Sequence, residues 1–162
     1  PTPAIPRRRP IRAWRSLAES GNYSEAYEAM QEAPEPLLNQ TAELMLAADV
    51  ARLSGHPEDA VPLLQKVVKE HRSHPRAVLA AFTLGRILRR QMGRPARAAD
   101  AFAEARALAP DGSLAPDALA HEAECRRMAG QGGRAKQKAQ DNLRLFPEGR
   151  KADSMRRMVE AQ

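Results

Sequence analysis

The sequence has one cysteine, Cys125, in 162 residues. A single thiol excludes a disulfide framework and any site built on several cysteine ligands. Aromatic residues are equally scarce, with one Trp, two Tyr and three Phe. β-branched residues are few, which argues against a sheet. No apolar run approaches the ~18 residues that a membrane-spanning helix needs, and no secretory signal is recognisable. The chain opens PTPAIPRRRP with no Met, which reads as the start of a fragment.

What is abundant is Ala, Leu and Arg, all strong helix formers. Basic residues outnumber acidic ones, and the net charge is +6. That excess sits at the ends. Residues 1–12 carry four arginines and no acid, residues 126–162 carry ten Lys or Arg against four acids, and the middle is net acidic. Basic ends fit an acidic partner, an anionic surface or nucleic acid. Base stacking needs exposed aromatics, and the six aromatics fall mostly on core positions. Nucleic acid is therefore the lesser expectation, and an acidic protein or peptide is the greater.

One interruption recurs. The stretches GNYSEAYEAM from Gly21, GHPEDAVPLL from Gly55, GRPARAADAF from Gly93 and GQGGRAKQKA from Gly130 all break an otherwise helical pattern. Each glycine is followed five residues later by alanine: Ala26, Ala60, Ala98 and Ala135. The glycines lie 34, 38 and 37 residues apart. A period of this size is the signature of stacked helical hairpins. Glycine closes one helix in the left-handed conformation. Pro57 and Pro95 then open the next, where a missing N–H costs nothing. The small alanine lets two helices cross closely. Pro75, Pro110 and Pro147 end the second arms.

The apolar periodicity predicts helices near 12–20, 24–31, 40–53, 58–71, 76–92, 96–108, 115–129, 133–145 and 149–160. Residues 1–10 read as a Pro/Arg-rich linker, and Met155, Met158 and Val159 mark the last helix as a cap on the array.

The hairpins resemble tetratricopeptide repeats. TLGRILRRQMGRPARAADAFAEARALAP carries the pattern best, through Leu84, Gly85, Leu88, Gly93, Ala98, Phe102, Ala105 and Pro110, with one extra residue between Gly85 and Gly93. The first repeat lacks a full first arm, and the fourth has Asn142 where alanine is usual. The resemblance covers about residues 11–148. It implies an all-α, right-handed superhelical solenoid of about four hairpins that serves as a non-catalytic protein–protein interaction module. A narrower resemblance links LMLAADVARLSGHPEDAVPLLQKVV, AAFTLGRIL and LFPEGRKADSMRRM to the repeat region of FecR-like regulatory proteins of proteobacteria. It implies a periplasmic or envelope setting, with the cytoplasm as the alternative.

By alignment to the repeat, the inner, concave face carries Met45, Asp49, Arg52, Phe82, Arg86, Arg89, Arg90, Glu124 and Arg127, with Arg15 in the first hairpin. Guanidiniums clustered beside Phe82 can hold carboxylates through paired hydrogen bonds. The competing reading is a solvated helix face tied up by local pairs such as Asp49–Arg52. The family's carboxylate-clamping members use Asn and Lys at inner positions, and here Asp49, Arg86 and Glu124 stand in the aligned places, so that activity is not expected. Self-association is a further alternative to a peptide partner. No cofactor or metal is expected: His71 with His74 has no third ligand near in sequence except Glu70, and His121 with Cys125 is a bare pair. No phosphate-binding glycine loop and no nucleophile motif appears, so no enzyme activity is expected.

Overall fold

The computed structural model describes residues 13–32 and 39–161; the N-terminal linker and the first residue of the expected first helix lie outside them. The described residues form nine α-helices and no strand. They are α1 (Ala13–Glu19), α2 (Tyr23–Glu32), α3 (Thr41–Leu53), α4 (Pro57–Glu70), α5 (Ala77–Arg90), α6 (Pro95–Leu108), α7 (Ala115–Met128), α8 (Gly132–Leu145) and α9 (Ala152–Glu160). The chain divides into two compact units, one ending at Leu63 and one beginning at Leu64, so the boundary falls inside α4.

Each glycine break is a helix stop. Gly21, Gly55, Gly93 and Gly130 have φ of 82°, 90°, 59° and 75°, the left-handed region that a side chain resists. The backbone N–H after the glycine reaches back over the last turn: Asn22 to the Leu17 carbonyl, His56 to Ala51 and Gln131 to Arg126. This bond satisfies a carbonyl that the ending helix leaves unpaired. The third break absorbs the extra residue seen in the sequence. There the Arg94 N–H reaches the Leu88 carbonyl, one residue further back than in the others, and the Met92 N–H reaches Ile87. Pro57 and Pro95 occupy the first positions of α4 and α6.

The links between hairpins repeat as well. His74 to His71 and Ala77 to His74, Gly112 to Ala109 and Ala115 to Gly112, Gly149 to Phe146 and Ala152 to Gly149 form the same pair of successive backbone hydrogen bonds. They recur at the spacing of the last three glycines.

In the first unit, α1 packs on α2 and α2 on α3. Trp14, Ala18, Ala26, Ala29, Ala47 and Val50 form its core, with Leu63 of α4 packed against it. Tyr27 of α2 stacks flat on His56, with ring centroids 3.8 Å apart, and donates a hydrogen bond to Asp59. In the second unit each helix from α5 to α9 packs on the next. The alanines five residues after each glycine are all buried. Gly85 of α5 faces the ring of Phe102 on α6, and a Cβ there would sit 2.9 Å from three ring carbons. The Leu84–Gly85 pair and the later aromatic are thus one packing device.

Asn142, which departs from the repeat pattern, is 2% exposed and donates to the Pro116 carbonyl at 2.9 Å, tying α8 to the start of α7. It substitutes a hydrogen bond for close alanine packing. Leu79 of α5 is 47% exposed, off the buried face of that helix. The helix α9 lays Met155 into a cluster with Ala120, Ala123 and Ala139, flanked by Leu143, Met158 and Val159.

Candidate functional site

Three first-arm helices of the second unit frame a cleft of about 450 Å3. From α5 comes Arg89. From α7 come Glu124, Arg127 and Met128, and from the last helix and the residue before it come Lys151, Ser154, Arg157 and Met158. Arg89 stands near the end of α5, and Glu124 and Arg127 stand three positions apart on one face near the end of α7, so all three reach the cleft.

Glu124 is the centre of the charge arrangement. Its Oε2 accepts from Arg89 Nη1 at 2.7 Å and lies 3.2 Å from His121 Nδ1, while Oε1 accepts from Lys151 Nζ at 2.7 Å. Burial pushes this carboxyl up. The hydrogen bonds from His121 and Lys151, with the charges of Lys151 and Arg89, outweigh burial and hold it at about 2. It is ionised at any physiological pH. His121 is itself packed between rings, stacked on Phe102 at 5.0 Å and edge-on to Phe82 at 5.8 Å.

Four cations thus wall the cleft against one carboxylate. Arg89 and Lys151 are engaged by Glu124, whereas the guanidiniums of Arg127 and Arg157 have no ion-pair or hydrogen-bond partner among the described residues. Unpaired guanidiniums beside Met128 and Met158 can bind carboxylates through their forked donors while apolar side chains cover the rim.

The expected inner-face residues separate into three groups. Arg89, Glu124 and Arg127 come together in the cleft. Arg86 and Arg90 are exposed on α5 without partners among the described residues and do not line it. Phe82 is 8% exposed, packed against Phe102 and His121, and so supports the wall from inside rather than offering a surface. Met45, Asp49 and Arg52 belong to the first unit, where Arg52 Nε donates to Asp49 at 2.7 Å. For that pair the local-pairing reading holds. Arg15 is paired with Glu43.

The fold carries a recognisable signature. Residues 45–113 match the tetratricopeptide repeat family. No curated protein matches the sequence. Among solved structures, the nearly identical TPR-like repeats of a Podosopora anserina kinesin-light-chain candidate are 15% identical, with a TM-score of 0.64, covering 92% of this chain and 81% of that one. The structure described as MamA MSR-1 C2 is 16% identical, with a TM-score of 0.61, covering 92% of this chain and 82% of that one. At this identity the likeness shows the fold: an all-α, tetratricopeptide-like array of hairpins. These comparisons lend no support to the narrower FecR-like resemblance. Tetratricopeptide repeats in general mediate protein–protein interaction.

The sequence reading missed the contribution of the last helix. Lys151 and Arg157, beside and on the helix expected only to cap the array, form one wall of the cleft. It also missed the polar links between hairpins. Arg72 pairs with Glu104, Arg126 with Asp100, Arg150 with Asp117 and Lys151 with Glu124. Opposite charges 26 to 33 residues apart were the available signal. Behind the cleft, Glu122 on α7 is 2% exposed, with Arg106, Arg126 and Lys138 at 3.6–3.9 Å. Burial pushes its carboxyl up against the pull of those three cations. Cys125 is fully buried, and burial pushes its thiol up, away from the reactive thiolate. Among the described residues no three of His, Cys, Asp and Glu converge as metal ligands, and no helix is long and apolar enough to cross a membrane.

Proposed function

We propose that the chain is a non-catalytic interaction module that holds an acidic segment of a protein partner in the cleft between α5, α7 and α9. The observation that carries this reading is the charge imbalance of the cleft: four cations against one satisfied carboxylate, with Arg127 and Arg157 unpaired among the described residues. Two guanidiniums spend solvation when a ligand covers them, and acidic side chains return it through charge-assisted hydrogen bonds. Met128 and Met158 adapt to an apolar neighbour in the same segment. Nucleic acid is the weaker fit, because three of the six aromatics, Trp14, Phe82 and Phe102, are buried away from any base that would stack on them.

The test is fluorescence anisotropy with a rhodamine-labelled peptide of six glutamates around a central leucine. Arg127→Glu with Arg157→Glu should weaken binding by roughly two orders of magnitude, from two charge-assisted contacts of about 1.5 kcal/mol each. Circular dichroism and Tm should not change. Arg86→Glu with Arg90→Glu should have a much smaller effect. Wild-type affinity in the first double variant sinks the cleft as the site. Tighter binding of a single-stranded DNA probe than of the peptide shifts the reading to nucleic acid.

The setting we propose is the bacterial envelope, within a regulatory or assembly protein. It rests on the quoted FecR-like segments alone. A fusion of the native coding sequence to a reporter active only outside the cytoplasm tests it, and a silent reporter rejects it.

A further inference from the structure

We infer that the acidic segment this cleft holds is the exposed face of α2 on a second copy of the chain, so that copies join head to tail through Glu25, Glu28 and Glu32 of one and Arg127 and Arg157 of the next. The inference rests on the cleft reading above for the site, and on the charge pattern of the chain for the occupant.

Between Arg15 and Arg52 the sequence holds seven acids and neither Lys nor Arg. Two of those acids pair at the margins, Glu43 with Arg15 and Asp49 with Arg52. The acids of α2 do not. Ala26 and Ala29 are buried in the core of the first unit, while Glu25, Glu28 and Glu32 are exposed. Spacings of three and four residues put these carboxylates on one face of the helix, along about 10 Å of its length. None of the three has an ion-pair or hydrogen-bond partner among the described residues. Like charges at that spacing repel one another. Glu32 also ends the helix, where the dipole disfavours an anion, and the last turn holds no base to offset it. A cation brought from outside relieves both costs.

The cleft has the opposite imbalance. The guanidiniums of Arg127 and Arg157 stand unpaired among the described residues on its walls, and residues 126–162 hold ten Lys or Arg against four acids. One chain thus carries two surfaces of opposite sign, each lacking what the other supplies. A guanidinium offers two parallel N–H donors to a carboxylate, and the stripe on α2 presents three carboxylates in a row. Cleft against cleft, or stripe against stripe, sets like charges together, so the favoured contact is heterologous. A pair joined in this way leaves one stripe and one cleft for further copies. The paired groups stay at the edge of solvent, which makes the contact weak and sensitive to salt. It forms at hundreds of micromolar protein and comes apart at the dilution of a sizing column.

The test is sedimentation equilibrium of the full chain from micromolar to near-millimolar concentration. At low salt the weight-average mass of the wild type should climb well above the 17.8 kDa of one chain, and in high salt it should fall back to it. Two variants locate the contact. Glu25→Gln with Glu28→Gln and Glu32→Gln removes the charge of the stripe at exposed positions and keeps helix propensity. Arg127→Glu with Arg157→Glu removes the cleft. Each variant alone should stay at the mass of one chain across the whole range. Mixed in equal amounts they should associate again, because one brings an intact cleft and the other an intact stripe, and they should stop at a one-to-one dimer. That recovery also shows that both variants are folded. A wild-type mass that stays at 17.8 kDa throughout overturns the inference. So does a variant that associates alone as the wild type does, or a mixture that stays monomeric where the wild type associates. The rhodamine-labelled glutamate peptide separates this failure from failure of the cleft. Peptide binding without self-association rejects the second copy and keeps the cleft, and absence of both rejects both.

Discussion

At the residue scale, two glycine types do different work. Gly85 is constrained by its neighbour: the missing Cβ makes room for Phe102. Gly85→Ala should destabilise the protein by about 1–2 kcal/mol in urea unfolding, because overpacking exceeds the gain in helix propensity. In combination with Phe102→Leu the costs should sum to less than the two singles, since the clash is shared. Gly130 is constrained by its own backbone. With φ of 75° and nothing within 4 Å of a Cβ, Gly130→Ala should cost about 1–2 kcal/mol from conformation alone, with no rescue by any neighbour.

Glu124 supplies a second residue-scale test. Its folded pKa of about 2 lies below the ordinary carboxylate value of 4.5, so the unfolded chain takes up the proton first as pH falls. The stabilisation is complete above the ordinary value and is lost as pH falls towards 2. The stability gap between wild type and Glu124→Gln should be constant near neutrality and shrink through this acid range. A gap that does not change with pH would remove the carboxylate from the account of stability.

At the scale of the element, Pro62 lies inside α4. Its ring nitrogen cannot donate to the carbonyl of Glu58, and Pro62 is exposed, so no packing depends on it. Pro62→Ala should raise stability by about 1–3 kcal/mol, read as a higher urea midpoint with unchanged slope. The helix α9 has two roles that truncation would expose together. It covers Ala120, Ala123 and Ala139 through Met155, and it brings Lys151 and Arg157 to the cleft. Deleting residues 149–162 should lower Tm, as loss of an end cap does in helical arrays, and should abolish peptide binding. The double variant Lys151→Ala with Arg157→Ala should keep the cap and lose most of the binding, which separates the two roles.

For the whole molecule, the proposal makes binding electrostatic while the fold is held by apolar packing. Salt should therefore weaken peptide binding steeply and leave the melting temperature nearly constant. Light scattering coupled to size exclusion should give a mass near the 17.8 kDa of the chain at both low and high salt. A stable, salt-independent dimer would move the functional surface away from the cleft and to the exposed apolar residues, of which Leu79 and Leu145 are examples.

The sequence by itself determined the helices and their ends. Local physics sets these: a positive φ needs glycine, a first helical turn tolerates proline, and a 3.6-residue apolar period faces a neighbour. All nine expected helices form within a few residues of their expected bounds, apart from the residue of the first that lies outside the described chain. The cleft was legible only in part. Arg89, Glu124 and Arg127 could be placed by their position in the repeat, since register along a helix fixes the face. The rest was decided by tertiary structure. Lys151 and Arg157 reach the cleft because α9 docks on α8 at one angle, and no local rule sets that angle. Phe82 left the surface because His121 and Phe102 close over it. The triangle of Arg89, His121 and Glu124 joins residues 35 apart in sequence. Such contacts are set by how helices pack, and packing depends on the shapes of many side chains at once.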